Sequence, residues 1–345
     1  MFAKPKALLG LDVGTAMVKA VEFTFDKGNL VLSAFGMAPV KSLENVTTAI
    51  NEVLRSGKFT AKRVNTALSG RGVVVRYFPL PGNITTEQAL KAAVDAQSKD
   101  YIPFNESEVE KDFCAVPVGG GDKTATTRII LVAAKIGEVD SRVKVLRENS
   151  LVPTVIDIDT FAIGNAFEFW CDRDRKYKID NSVTALVDIG ATKTTINIIT
   201  GRISTFSREV YIGATEMANA IARRTGGSEA DAMGQLVNPG ENYDNIRDSV
   251  TTVLEDIGNE IRLSIDFFEN QFESEVSQVF VSGGVTRFPG LVDQLGQIFY
   301  LPTSTWNPIE MIPVGPGVDE RALNAAAPHL AVAVGLAARI RGVNK

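Results

Sequence analysis

The sequence predicts an α/β protein of two lobes built alike, with a smaller α+β insert in the first lobe. Three observations predict it. One strand-and-hairpin motif occurs twice, as LGLDVGTAMVKAV at 9–21 and as ALVDIGATKTTIN at 185–197. At 345 residues the chain is too long for one small core. Between the two motifs, the texture changes from about Arg76 to Pro153.

Each motif reads as an apolar strand, an Asp, one apolar residue, a small-residue turn and an alternating strand. After the first come a strand near Asn29 to Phe35, a helix over 43–55 and a strand over 64–68. In that helix Leu43, Val46, Ile50, Val53 and Leu54 recur at helical spacing. In the insert, Pro79-Leu80-Pro81-Gly82 reads as a turn and 85–99 as an alanine-rich helix capped by Thr85 or Thr86. Tyr101-Ile102-Pro103-Phe104 is an apolar break. Strands over 112–118 and 127–134 flank the loop Gly119-Gly120-Gly121-Asp122, and a helix follows over 138–149 with Val139, Val143 and Leu146 inward.

After the second motif, Gly201-Arg202 marks a hairpin, a strand runs to Val210, and Gly213 opens a helix to Arg224. A long helix over 244–272 follows, because Ile246, Val250, Val253, Leu254, Ile257, Ile261, Ile265 and Phe268 trace one face. A strand over 278–282 ends in Gly283-Gly284, and Pro289-Gly290 starts another helix. The expected division is 1–75 for the first part of lobe I, 76–153 for the insert and 154–182 for the return to lobe I. Lobe II takes 183–327, and a closing helix takes 328–345.

Composition narrows the function. Hydrophobic residues make up 45% of the chain, charged residues 22%, and the net charge is −5 with no Lys/Arg block, which argues against nucleic acid. Cys114 and Cys171 lack Cys-x-x-Cys spacing, so a disulfide framework is not expected and a reducing cytoplasm fits. The sole histidine, His329, reads as a helix-start residue, so neither a His-based metal site nor a Ser-His-Asp triad can be assembled in the usual way. Residues 1–6 do not read as a signal peptide, and the apolar run at 330–338 is shorter than a spanning helix needs.

The chemistry sits in the paired hairpins. A tight turn of small residues after a strand leaves several N–H groups to converge on one anion, and Gly14-Thr15-Ala16 and Gly190-Ala191-Thr192 each supply one. Asp12 and Asp188 stand beside these turns, where phosphate would repel them unless a cation lies between. Hydrated Mg²⁺, which takes one or two carboxylates and keeps its waters, is that cation. Lys19 alternates onto the same side of its strand and can reach a phosphate as a point charge. Taken singly, each motif reads equally as an ordinary hairpin. The pair in register points to nucleotide binding. At Ser282-Gly283-Gly284, bare backbone offers a bed for a planar ring, the alternative being a plain strand-to-helix turn.

These three elements resemble the phosphate-1, phosphate-2 and adenosine motifs of the actin, Hsp70 and sugar-kinase superfamily, in order and over nearly the whole chain. Within it the sequence is similar to the PilM family of type IV pilus assembly proteins, relatives of the division protein FtsA. Residues 8–25, Arg76-Tyr77-Phe78-Pro79-Leu80-Pro81, Tyr101 to Phe104, VPTVIDID at 152–159, 281–291 and AVAVGLAAR at 331–339 carry the likeness. The resemblance implies an actin-like, duplicated ribonuclease H-like fold whose insert is the subdomain called 1C. It implies ATP or ADP with Mg²⁺, held by Asp12, Gly14, Thr15, Ala16 and Lys19 and by Asp188, Gly190, Ala191, Thr192 and Lys193. Gly213, Glu216, Gly283, Gly284, Val285 and Phe288 complete the set. The segments 157–169 and 328–339 become the interlobe helices, with Gly164 and Gly335 letting them cross closely as a hinge requires.

Two departures stand out. Gly213-Ala214 replaces the Gly-Gly common in relatives, so close phosphate approach there rests on Gly213. The segment Glu229-Ala230-Asp231-Ala232-Met233 replaces an Ala-Glu-x-x-Lys pattern and offers no lysine to the adenosine side, which leaves Glu216 to reach the ribose.

No sugar-kinase base stands out. Asp157 and Asp159 can orient water or simply cap the helix starting at Thr160, so turnover is expected to be slow at most. Family members grip the cytoplasmic N-terminus of a bitopic inner-membrane protein, PilN, in a groove between subdomains 1A and 1C. Here that implies Arg76, Tyr77, Phe78, Tyr101, Ile102 and Pro103, whose aromatics read equally as insert core. Other pilus platform proteins and motor ATPases are implied partners, with a cytoplasmic location held to the inner membrane through partners. The resemblance extends to the platform of a related type II secretion machine, and the alternatives are an FtsA-like division or filament protein, against which no amphipathic tail follows Arg341 to Lys345, and a small-molecule kinase.

Overall fold

The computed structural model describes residues 7–42, 45–81, 84, 86–118, 126–173 and 182–340. Leu43 of the first expected helix, Gly82, Thr85, the loop Gly119 to Asp122 and both chain ends at 1–6 and 341–345 lie outside the described residues. The chain separates into two compact units, one of 1–67 with 148–345 and one of 68–147.

In the larger unit the first lobe holds β1 (Ala7–Val13), β2 (Met17–Asp26), β3 (Asn29–Pro39), α1 (Val46–Gly57) and β4 (Arg63–Leu68). The smaller unit comprises β5 (Val73–Pro81), α2 (Glu87–Tyr101), β6 (Val109–Val118), β7 (Thr126–Lys135) and α3 (Ile136–Glu148). The chain re-enters the larger unit as β8 (Val152–Ile158) and α4 (Asp159–Cys171). Then come β9 (Val183–Ile189), β10 (Thr194–Thr200), β11 (Ile203–Val210), α5 (Ala214–Thr225), α6 (Glu229–Val237) and α7 (Tyr243–Phe272). The chain continues with β12 (Gln278–Ser282), α8 (Leu291–Phe299), β13 (Thr303–Thr305), α9 (Glu320–Ala326) and α10 (Ala331–Ala338).

The two lobes repeat one topology. Their sheets have orders β3-β2-β1-β4-β8 and β11-β10-β9-β12-β13. In each, an antiparallel meander is joined by a parallel strand, β4 on β1 and β12 on β9. The central strands are buried nearly end to end, as strands covered on both faces must be. The α7 periodicity is realised in full, since all eight of its apolar face residues are buried.

Helices α4 and α10 cross between the sheets. Every residue of α10 is buried, as its all-round apolar sequence requires. A Cβ on Gly335 would overlap the carbonyl oxygen of Ala162 in α4, and one on Gly10 would overlap that of Ala333 in α10. Gly164 does not join that crossing; its open side faces Asn197 of β10. The close approach is therefore glycine on alanine, because one missing Cβ suffices when the facing residue is small. Two buried asparagines pin the helices. Asn65 Nδ2 donates to Leu336 O at 3.0 Å, and Asn197 Nδ2 donates to Thr160 O at 2.9 Å.

The smaller unit is a three-stranded antiparallel sheet, β5-β7-β6, with its own core of Phe78, Leu80, Val94, Ile102, Val109, Ile129, Leu131 and Ala133. The expected turn at Pro79 to Pro81 is strand instead. In the sheet β5 pairs only with β7, so a residue can lack an N–H wherever that group would point outward. Pro79 and Pro81, two apart, share that side. Thr86, one of the two expected caps, caps α2 by accepting from Ala89 N at 3.3 Å.

Candidate functional site

The two motif hairpins close alike. Gly14 N–H donates to Met17 O at 3.1 Å, and Gly190 N–H donates to Lys193 O at 2.9 Å. A Cβ on either glycine would come within 2.9 Å of the same carbonyl, so the tight turn itself demands glycine. Their tips meet. Thr15 Oγ1 and Thr192 Oγ1 are hydrogen bonded at 3.2 Å, each on an exposed residue. Ala16 O accepts from Val40 N–H at 2.8 Å, which fastens the first tip to the end of β3.

Beneath the tips lies an alternation of charge. Lys19 Nζ donates to Asp12 Oδ2 at 2.6 Å, with Asp12 only 6% exposed. The pairing follows from register, since Asp12 and Lys19 are partners across β1 and β2. Burial opposes the Lys19 charge, but Asp12, helped by Asp188 and Asp159, outweighs it and raises its pKa. Asp188 Oδ1 accepts from Ser282 Oγ at 2.7 Å. Burial pushes the Asp188 pKa up; Ser282 and Lys19 oppose this, while Asp12 and Asp159 add to it. Lys193 bridges Asp159 at 3.1 Å and Glu209 at 2.5 Å. Its pKa is raised because these two carboxylates outweigh burial.

Neither Asp157 nor Asp159 caps a helix. The residue before α4 is Ile158, which makes no side-chain cap, because β8 runs straight into the helix. Asp157 ends the strand, with Oδ2 held by Arg339 at 2.5 Å and Oδ1 by Ile158 N–H at 2.9 Å. Burial raises its pKa against the opposing pull of Arg339. Asp159 is the first helical residue and serves Lys193.

On the adenosine side the contacts are largely internal. A Cβ on Gly213 would come within 2.6 Å of Gly190 O and Ala191 O, so this glycine lets α5 seat on the second hairpin. Ala214 and Thr215 N–H donate to those carbonyls at 3.0 and 2.8 Å. Glu216 folds back, its Oε2 accepting from Gly213 N–H at 2.8 Å. Gly283 has φ +106°, and any side chain there would strike Ile189 O. At Gly284 the bare backbone faces His329, whose Cε1, Nδ1 and Nε2 atoms a Cβ there would overlap. Val285 and Phe288 are buried in the lobe II core, with Phe288 against Tyr243 at 5.5 Å. The same loop walls a pocket of about 540 Å³ lined by Trp170, Ser282, Arg287, Trp306, Glu310 and Pro328, among others. Neither hairpin tip lines it.

The structure thus brings Asp12, Thr15, Lys19, Asp188, Thr192 and Ser282 together and turns Val285 and Phe288 inward. Sequence reasoning overlooked Asn65, Asn197 and Arg339. The signal for the first two was a polar residue inside an apolar strand, in RVNTAL and TTINIIT.

His329 follows as predicted, in the 3-10 turn that leads into α10. Its pKa is lowered to about 4, first by burial and then by Lys19 and Arg287. A depressed histidine pKa means the unfolded chain binds more protons between pH 4 and 6.5. Stability then rises with pH across that window, by up to about 3 kcal/mol from this group. Asp188, raised above 3.8, acts with the opposite sign just above that value. Urea unfolding from pH 4 to 7 is expected to show a shallower acid-side loss in His329→Gln than in the parent, isolating the imidazole.

In the smaller unit, Arg76 Nε donates to Tyr101 O at 3.0 Å, and Phe78 stacks on Tyr101 with centroids 4.5 Å apart. Phe78 and Ile102 are core residues, whereas Tyr101 and Pro103 are exposed and Tyr77 is half-buried.

Duplicated sheets, paired hairpins and two crossing helices define an actin-like protein. Comparison with known families matches residues 10–341 to the family described as Type IV pilus assembly protein PilM. The chain belongs to that family and is an actin-like protein of type IV pilus assembly. Among solved structures it is similar to a chain of the PilM–PilN type IV pilus biogenesis complex, at 25% identity over 99% of both chains with TM-score 0.84. It also shares its fold with the ethanolamine utilization protein EutJ from Carboxydothermus hydrogenoformans, at 14% identity over 97% and 90% of the two chains, TM-score 0.55. MreB 5 of Spiroplasma citri, solved bound to AMPPNP, aligns at 12% identity over 98% and 97%, TM-score 0.53. At those identities the last two show the fold alone. No helix among the described residues is long and apolar enough to cross a membrane.

Proposed function

We propose that the protein is a nucleotide-loaded adaptor of the pilus assembly platform, with Mg·ATP or Mg·ADP between the paired hairpins. The observation that carries this is the meeting of the tips, Thr15 on Thr192, directly above the Asp12–Lys19 pair and the Asp188–Ser282 pair. Phosphates would accept from tip N–H groups of Thr15, Ala16, Ala191 and Thr192, with Lys19 as a point charge. Lys193, already shared by two carboxylates, orders the second hairpin.

The residues fit magnesium. Burial raises the Asp188 pKa, with Ser282 and Lys19 opposing and Asp12 and Asp159 adding to it, and a dication would relieve the repulsion among these carboxylates. No cluster of three or more ligating side chains is present among the described residues, and Mg²⁺ needs none when phosphate and water complete its shell. When bound, the ion would be held by Asp12 and Asp188 and neutralise phosphate charge. We assign no general base. Asp157 has both oxygens engaged by Arg339 and Ile158, so the site suits holding a nucleotide better than turning it over.

The partner reading draws on the pilus complex above, whose other component is PilN. In this proposal the smaller unit is the 1C-type insert, and an extended N-terminal peptide of a PilN-like membrane protein lies along Arg76, Tyr77, Tyr101 and Pro103. Phe78 and Ile102 support that surface from the core. The protein would be held at the inner membrane through this partner. Calorimetric titration with such a peptide is expected to give micromolar or tighter binding, weakened about tenfold by Tyr101→Ala. No heat with or without ATP would overturn the adaptor reading.

A further inference from the structure

The pocket beside the loop after β12 has a volume of about 540 Å³, within the range of roughly 300–1,000 Å³ that small-molecule sites occupy. Its wall comes from the end of α4, the 3-10 turn Gly284–Arg287, the segment after β13, and α9 with the turn that follows it. No residue of either hairpin and none of α5 lines it. Of the residues gathered at the phosphate cleft only Ser282 lines it too, and that hydroxyl is committed to Asp188. The pocket is therefore a separate site.

The protein's two tryptophans, Trp170 and Trp306, both line it. Their rings are anchored in the core, Trp306 edge-on to Phe167 at 5.5 Å and Trp170 edge-on to Phe280 at 5.6 Å. The Trp170 indole N–H donates to Glu310 Oε2 at 2.9 Å. Trp306 is only 6% exposed, and its indole N–H is shut away from solvent with no hydrogen-bond partner among the described residues. A buried indole N–H ordinarily finds an acceptor, so an orphan on a pocket wall marks a place for one from a ligand.

The rest of the wall adds donors. Arg287 makes no hydrogen bond or ion pair among the described residues. Asn307 has its Oδ1 taken by Ile309 N–H at 3.1 Å and keeps its amide NH2. Against these stands one carboxylate, Glu310, with Oε1 still to use. A simple anion would meet that carboxylate, and a hydrocarbon would leave the Trp306 N–H unpaired. Flat apolar walls, several donors and one acceptor match a planar heteroaromatic ring whose edge carries a carbonyl beside an N–H.

We propose that this pocket binds a planar lactam heterocycle of the guanine or pterin class, laid against the indoles. Its carbonyl and adjoining ring nitrogen accept from Trp306 Nε1 and Arg287, and its ring N–H donates to Glu310. The site is independent of the nucleotide cleft.

Because both tryptophans line the pocket, intrinsic fluorescence excited on the red edge of the indole band reports on it alone. Guanosine is expected to quench it saturably with a Kd below about 1 mM. Adenosine, whose edge reverses donor and acceptor, should bind at least about tenfold more weakly. Trp306→Phe keeps a ring without the N–H and should weaken guanosine about tenfold, read from Trp170. Arg287→Gln, at an exposed position, should do the same and leave the fold intact. Mg·ATP should not displace guanosine. Absence of saturable quenching by guanosine would overturn the proposal, as would unchanged affinity in both variants. Equal affinity for adenosine, or displacement by Mg·ATP, would overturn it by making the pocket part of the nucleotide cleft.

Discussion

Asp12→Asn and Asp188→Asn are each expected to abolish most of the thermal stabilisation that Mg·ATP gives the parent protein. A ligand at 100 times its Kd stabilises the state it binds by about 2.7 kcal/mol, which in a chain of this size is a rise of roughly 4 °C in Tm. The two carboxylates stand at equivalent strand ends on opposite sides of the cleft, and each removes one of the charges the ion would need. Asparagine keeps the shape and, at 188, still accepts from Ser282, so the apo fold should survive there. At position 12 the variant also strands the Lys19 ammonium, which loses its 2.6 Å partner, and an apo destabilisation of about 2 kcal/mol should accompany the lost ligand response. Differential scanning fluorimetry with and without Mg·ATP reads both effects. Undiminished ATP stabilisation in both variants would remove the hairpin site.

Gly335→Ala should carry the largest cost to stability. The added Cβ overlaps Ala162 O and comes within 2.6 Å of Ala162 C and 3.1 Å of Ala166 N. All three are backbone atoms, so no side chain can swing aside and the two helices must part. Overpacking of this kind costs about 3 kcal/mol, and more where backbone is forced to move. Gly164→Ala is the control. There the new Cβ meets only the Asn197 side chain at 3.2 Å, and the gain in helix propensity offsets about 1 kcal/mol. Urea denaturation should show a large fall in midpoint for Gly335→Ala at unchanged slope, and little change for Gly164→Ala. Equal midpoints would mean that the crossing is looser than its geometry.

Where one periodicity dominated, the sequence was read closely. The α7 face and the paired hairpins are local patterns in which burial and turn geometry repeat within a few residues. The reading failed where the decisive neighbour lay far along the chain. Pro79 and Pro81 read as a turn because nothing local says that β5 pairs on one side only. Asp157 read as a cap because its true partner, Arg339, is 182 residues away.

The sequence by itself determined the duplication: two equivalent strand-hairpin units whose Asp and Gly spacing is a property of single turns. It also located the residues whose small size or charge makes those turns suited to phosphate. Only the tertiary structure decided which of these residues face one another. The Thr15–Thr192 contact, the seat of α5 on Gly190 and the packing of His329 on Gly284 all depend on how two lobes close around α4 and α10. That closure is set by the fit of Gly335 and Gly10 against backbone, a matter of van der Waals distances between segments distant in sequence that no local pattern encodes.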